Sequence, residues 1–98
     1  MNERIEQTIT SMEVAKMVEK SHSSLLKDIR RYSKNLGEGK IDFSSFWRNS
    51  SYISEQGKSL PCYAVTKKGC EFIAHKMTGA KGTVFTALYI NRFHEMEE

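Results

Sequence analysis

Between Ser21 and Gly37 the apolar residues Leu25, Ile29, Tyr32 and Leu36 recur at steps of four, three and four. That spacing puts their side chains on one line of an α-helix, with Leu26 at its margin. Ser23, Lys27, Arg30 and Lys34 fall on the opposite line, flanked by Arg31. Such a segment must lay one side on a core and leave a cationic side in water. Ser21 is a suitable N-cap for it, and Gly37 stands where a left-handed residue closes a helix. The rest of the chain therefore has to supply a core for one line and leave the other uncovered.

Just upstream, Thr10-Ser11-Met12-Glu13 reads as a capping box, in which the Thr hydroxyl and the Glu carboxylate satisfy the free amides that open a helix. Val14, Ala15 and Val18 give that helix a short apolar face, and Glu19-Lys20-Ser21 ends it. Two helices separated by about three residues, the second basic on its outer side, suit a helix-turn-helix. With Ala15 at the small-residue position of that motif, Leu25 falls correctly as a core residue. Glu19 then stands where glycine is usual, and Ile29 comes one place late.

Residues 37–50 show no clean period, and Phe43, Phe46 and Trp47 are expected to pin this connection onto the core. Tyr52 to Glu55 and Leu60 to Val65 are β-prone runs separated by Gln56-Gly57-Lys58-Ser59, a hairpin signature with Gly57 in the turn. Pro61 cannot donate to a ladder and is expected at an edge or at the start of its strand. Thr66 caps a third helix through about Met77, burying Phe72, Ile73 and Met77. Thr78-Gly79 breaks it, and a last helix from about Ala80 carries Val84, Phe85, Leu88, Tyr89, Phe93 and Met96 at helical spacing. The order predicts a single α+β domain over residues 1–98, winged-helix-like: a helix-turn-helix, a β-hairpin and two C-terminal helices. A chain of 98 residues supports one modest core.

Charge is unevenly placed. The chain has 15 Lys and Arg against 12 Asp and Glu, a net +3. Seven cations lie between Lys16 and Lys40 and five between Lys58 and Lys81, while Glu3, Glu6 and Glu13 and then Glu95, Glu97 and Glu98 make the ends acidic. Two basic stretches favour an anionic partner. No apolar run approaches the roughly 18 residues of a membrane span, and the first residues lack a signal-peptide profile, so the expected location is cytoplasmic.

The sequence does not read as that of an enzyme. His22, His75 and His94 fall on separate elements, and neither Cys62 and Cys70 nor the histidines have metal-ligand spacing. Each cysteine lies among core-facing residues, so a thiol and base built from Cys62 or Cys70 with His75 gives way to inert packing. No catalytic residue, metal or cofactor is expected. Double-stranded DNA is the expected partner, met by the first turn and outer line of the second helix: His22, Ser23, Ser24, Lys27, Arg30, Arg31 and Lys34. His22 has a competing place packed against Tyr32 or a loop residue. Lys58, near the hairpin tip, is expected to reach a phosphate as a wing does. The apolar residues of the last helix outnumber the needs of a small core, and the excess suits a homodimer interface as well as it suits packing under the hairpin.

The chain also resembles the phage regulatory protein Rha family. The likeness rests on Ser11-Met-Glu-Val-Ala-Lys16, His22-Ser-Ser-Leu25-Leu-Lys-Asp28-Ile29, Ser51 to Gly69, Phe72, Thr78-Gly79-Ala-Lys81, Phe85, Tyr89-Ile-Asn-Arg-Phe93 and Met96. It implies a transcriptional or developmental regulator of phage or prophage origin that binds DNA in the bacterial cytoplasm without catalysis. It also implies that Thr66-Lys-Lys-Gly69 is a helix start. The alternative it leaves open is an antirepressor-type module that acts on a repressor or host regulatory protein without touching DNA.

Overall fold

A computed structural model describes residues 6–97, so Glu3 and Glu98 of the acidic ends lie outside the described residues. Strand β1 (Thr8–Thr10) leads into helix α1 (Ser11–Val18), then α2 (His22–Glu38), a 3₁₀ turn (Phe43–Ser45), strands β2 (Trp47–Ile53) and β3 (Ser59–Thr66), and helices α3 (Lys67–His75) and α4 (Gly79–Met96). The strands form an antiparallel sheet in the order β1-β3-β2. The architecture is α+β, as the sequence pattern predicts. No helix among the described residues is long and apolar enough to cross a membrane.

Local chemistry explains most boundaries. Thr10 Oγ1 accepts from the Glu13 amide at 3.1 Å and Ser21 Oγ from the Ser24 amide at 3.1 Å, two N-caps that satisfy amides left open by helix geometry. Only half of the expected capping box forms. The Glu13 carboxylate turns instead to Arg92 of α4, whose Nε donates at 2.7 Å, tying the first helix to the last. Thr66 caps α3 through the Gly69 amide at 3.0 Å, while its own hydroxyl donates to the Ser45 carbonyl at 2.7 Å. A Cβ on Gly69 would stand 2.1 Å from the Phe46 carbonyl oxygen, so only glycine lets α3 start this close to the chain entering β2.

Three expectations need correction. Helix α2 runs through Gly37 to Glu38, and the left-handed residue is Lys40 (φ 61°). Bonds from Lys40 N–H to the Gly37 carbonyl (3.0 Å) and from Ile41 N–H to the Leu36 carbonyl (2.8 Å) close the helix there. The first hairpin strand begins at Trp47 rather than Tyr52, because Arg48 to Ser51 pair with Pro61 to Ala64. Those four side chains are polar and exposed, so the backbone ladder leaves no alternating pattern to read. Strand β1 has no counterpart in the predicted order; three β-branched residues pair with Ala64 to Thr66 and are too few for a periodic signal. Gly57 takes φ 81° in the turn, as expected. Pro61 lies beyond the end of β1, where β3 is paired on one side only, so its missing N–H breaks no ladder bond.

The core is assembled across the sheet. Ile9, Val65 and Trp47 face one another on the three strands and are all buried. Against them pack Val14, Ala15 and Val18 of α1, Leu25 and Ile29 of α2, Cys70 and Ile73 of α3, and Phe85, Tyr89 and Phe93 of α4. Trp47 Nε1 donates to Ser33 Oγ at 2.8 Å, and Ser33 Oγ donates to the Ile29 carbonyl at 2.8 Å, so the sheet's largest side chain is hydrogen-bonded to α2. Its ring meets Tyr32, Phe46 and Phe72 with centroids 5.4 to 6.3 Å apart. Phe43, Phe46, Phe72 and Met77 pack at the margin, half-buried, while α3 buries Cys70 and Ile73. On α4 the line Phe85, Tyr89, Phe93 is buried, but Val84 and Leu88 are exposed at 51% and 41%.

Candidate nucleic-acid interface

The turn between α1 and α2 has a specific backbone cause. Glu19 adopts φ 61°, ψ 45°, and Lys20 N–H reaches the Ala15 carbonyl at 3.0 Å. This left-handed closure reverses the chain within three residues, so that Ala15, Val18 and Leu25 share one buried surface. Glu19 thus holds a left-handed conformation usual for glycine, without being glycine. Burying that side of α2 turns the opposite side outward.

Ser23, Lys27, Arg30 and Lys34 are exposed on that outer side, and among the described residues none of these three cations joins an ion pair. Arg31 is different: its Nη1 lies 3.3 Å from Asp28, and its guanidinium sits over the Tyr32 ring at 5.2 Å. Asp28 also receives Lys20 at 2.5 Å. Ser24 accepts from Ser21 Oγ at 3.0 Å as part of the cap. The second basic stretch is dispersed by comparison. Lys68 and Lys76 rest over aromatic rings, and Lys81 lies 3.7 Å from Glu19. Lys58 is exposed in the hairpin turn, which closes through Ser54 N–H to the Lys58 carbonyl at 2.8 Å.

His22 occupies a joint between elements. Ser11 is fully buried; its Oγ accepts from the Tyr63 amide of β3 at 3.0 Å and lies 2.8 Å from His22 Nε2. The Ser11 oxygen has a second lone pair beside the one that takes the Tyr63 N–H, so the pair forms with either the hydroxyl or Nε2–H as donor, and neutral His22 carries its proton on Nδ1 or Nε2 accordingly. Burial lowers the His22 pKa below its ordinary 6.5, in keeping with that neutral form. The ring stands edge-on to Tyr52 of β2, at 6.0 Å and 72°, rather than against Tyr32. The relay ties the start of α1, the start of α2 and both hairpin strands together.

Comparison with known proteins decides the family. The model of the family described as phage regulatory protein Rha matches residues 9–98. The chain belongs to the phage regulatory protein Rha family. It is 44% identical over 90 residues to the SPbeta prophage-derived putative antirepressor protein YoqD of Bacillus subtilis (strain 168). That alignment covers 92% of this chain and 36% of the relative, so the chain spans just over a third of the relative's length. No solved structure matches it.

Within this Rha-family chain, the structure brings His22, Ser23, Ser24, Lys27, Arg30, Arg31 and Lys34 onto one helix with a common exposed side, except that His22 turns toward the hairpin. Sequence reasoning overlooked Asp28, whose carboxylate partly neutralises Arg31 and is shared with Lys20, and Tyr52, which flanks His22. Lys20 and Asp28 lie 8 positions apart and His22 and Tyr52 30, with no spacing rule that would reveal them, whereas Asp28 and Arg31 are an i,i+3 pair that helix spacing could have found. Both cysteines are buried and free, and burial, together with the Glu13 charge, pushes the Cys70 thiol up to about 12. A thiol in that state is not a nucleophile at neutral pH. Among the described residues no cluster of His, Cys, Asp and Glu has the form of a metal site.

Proposed function

We propose that this chain is a DNA-binding regulator of phage or prophage origin acting in the bacterial cytoplasm, with α1 and α2 as a helix-turn-helix and the β2–β3 hairpin as a wing. The observation that carries this reading is the line Lys27, Arg30 and Lys34, three cations without an ion pair among the described residues, on the outer side of a helix fixed by a three-residue turn. In the major groove the planar fork of Arg30 suits the two acceptors of a guanine edge, while Lys27 and Lys34 suit phosphates. Ser23 and Ser24 lie on the first turn, the end of such a helix that meets bases. His22 stands at the boundary of helix and wing, where Nδ1, the ring nitrogen not bonded to Ser11, can meet the duplex. Lys58 at the hairpin turn adds a point charge for a phosphate. The function needs no cofactor and no catalytic residue.

Selection of bound sequences from a random duplex pool at moderate salt tests the proposal. Enrichment of a motif is expected, with log affinity falling against log salt at a slope of about −0.9 per phosphate neutralised, or roughly −3 to −4 for Lys27, Arg31, Lys34 and Lys58 together. A flat salt dependence and no enriched motif would refute it. The name of the Bacillus subtilis relative favours a second reading, a module that acts on a repressor or host regulatory protein without DNA; that version predicts the flat slope. The exposed Val84 and Leu88 support a homodimer through α4, which would present two copies of α2 to two half-sites. Sedimentation at increasing concentration tests that step.

A further inference from the structure

Lys20 and Asp28 line two adjoining depressions of different character. One is a narrow cleft of about 40 Å³ whose inner residues are Val18, Leu25, Ile73 and Met77, with Lys76 exposed beside it. The other is an open basin of about 340 Å³ that adds the hydroxyls of Ser21 and Ser24 and the charges of Lys27 and Arg31. An apolar socket and a cationic basin therefore share one wall beside α2.

Size and charge narrow the occupant. A water needs about 10–15 Å³ on the scale used for cavities, so the cleft takes roughly three or four small heavy atoms: the end of one branched aliphatic side chain, and not a nucleobase or an aromatic ring. Around the two depressions stand Lys20, Lys76, Lys27 and Arg31 against Asp28 alone, which selects an anionic ligand. A duplex offers phosphates to the basin and nothing aliphatic of that size to the cleft. We infer that this bipartite site binds an acidic segment of another protein, with one Leu-, Ile- or Val-sized side chain in the cleft and carboxylates in the basin. Because the basin includes Lys27 and Arg31, the segment and the duplex exclude one another. This last step rests on the proposed DNA reading; the site itself does not. A carboxylate reaching Lys20 also competes with Asp28, so occupation changes what holds Arg31.

The test uses a fluorescein-labelled octapeptide of Asp and Glu with one central Leu, its Leu→Gly counterpart, and anisotropy at about 50 mM salt. Changing Leu to Gly is expected to weaken binding about tenfold or more, the loss for an aliphatic group denied burial. Lys76→Glu in the folded protein, checked by circular dichroism, is expected to weaken the Leu peptide to a similar degree and to leave duplex affinity within about twofold, since Lys76 is not on the outer line of α2. Unlabelled random duplex should displace the peptide. Equal affinity for the Leu and Gly peptides, or no binding of either below about 1 mM, overturns the cleft. Leu-dependent binding with no duplex binding upholds the cleft and refutes the DNA reading; duplex binding without Leu dependence does the reverse.

Discussion

Replacing Ser11 by alanine isolates the relay that joins α1, α2 and the hairpin. The Ser11 oxygen is fully buried, accepts from the Tyr63 amide at 3.0 Å and is hydrogen-bonded to His22 Nε2 at 2.8 Å. Alanine fits the space and favours helix, so what changes is the pair of hydrogen bonds. Leaving a buried N–H without its acceptor costs about 1–3 kcal/mol, and the half-buried imidazole, which regains water in part, adds less than about 1 kcal/mol. The expected loss is therefore about 1–4 kcal/mol near pH 7.5, read by urea unfolding through circular dichroism and Trp47 fluorescence. The pH dependence sharpens the test. Because the folded-state pKa of His22 is lowered from 6.5, the unfolded chain binds more protons as pH falls through 6.5. This group's contribution is thus complete above that value and is lost as pH drops toward the folded pKa. A hydroxyl that donates to the neutral ring loses that bond when the ring protonates, so Ser11→Ala then costs less near pH 5 than near pH 7.5, whereas a hydroxyl that accepts from Nε2–H gives no such fall. A loss of less than about 0.5 kcal/mol near pH 7.5 would refute the relay.

Glu19→Gly should raise stability by about 1 kcal/mol, since glycine holds φ 61° without the penalty of a Cβ, and the exposed 3.7 Å pair with Lys81 is a small loss; a destabilised variant in thermal unfolding would contradict the turn geometry. Gly69→Ala should destabilise by about 2–4 kcal/mol or abolish folding, because its Cβ would lie 2.1 Å from the Phe46 carbonyl oxygen; an unchanged urea midpoint would mean that α3 starts differently. Arg30→Ala should weaken DNA binding by about 1–3 kcal/mol and broaden the selected motif, whereas Lys27→Ala should weaken all duplexes alike and make the salt slope shallower by about one unit. If both variants bind as the parent does at low salt, α2 is not the reading helix.

How far the sequence reached is clearest on α2. Its core-facing line of buried Leu25 and Ile29 and half-buried Tyr32, and its outer line of Lys27, Arg30 and Lys34, follow from helical periodicity, because 3.6 residues per turn fixes both sides at once. The caps at Thr10, Ser21 and Thr66 were equally legible, since each bonds an amide three residues away. What misled was chemistry with more than one outlet. Glycine at position 37 looked like a stop, but Lys40 and Ile41 closed the helix later; the Glu13 carboxylate had a nearer expected partner in its own cap and went to Arg92, 79 positions away. The polar part of β2 and the three residues of β1 escaped notice because backbone pairing needs no side-chain pattern when a strand is exposed or short.

The sequence by itself determined the helices, their caps, the hairpin turn at Gly57, the burial of Cys62 and Cys70 and the side of α2 that carries positive charge, all of which depend on residues a few positions apart. Tertiary structure decided most of what compensates those charges; the Asp28–Arg31 pair, i,i+3 on one helix, is local. Arg31 and Lys20 meet at Asp28, Lys76 lies over Tyr32 and Phe72, and Lys81 faces Glu19, while Lys27, Arg30 and Lys34 remain uncompensated among the described residues. The same holds for Ser11, which as sequence is the second residue of a capping box and in the fold is a buried oxygen between His22 and Tyr63. Partners separated by tens of residues are chosen by packing, and no local spacing encodes them.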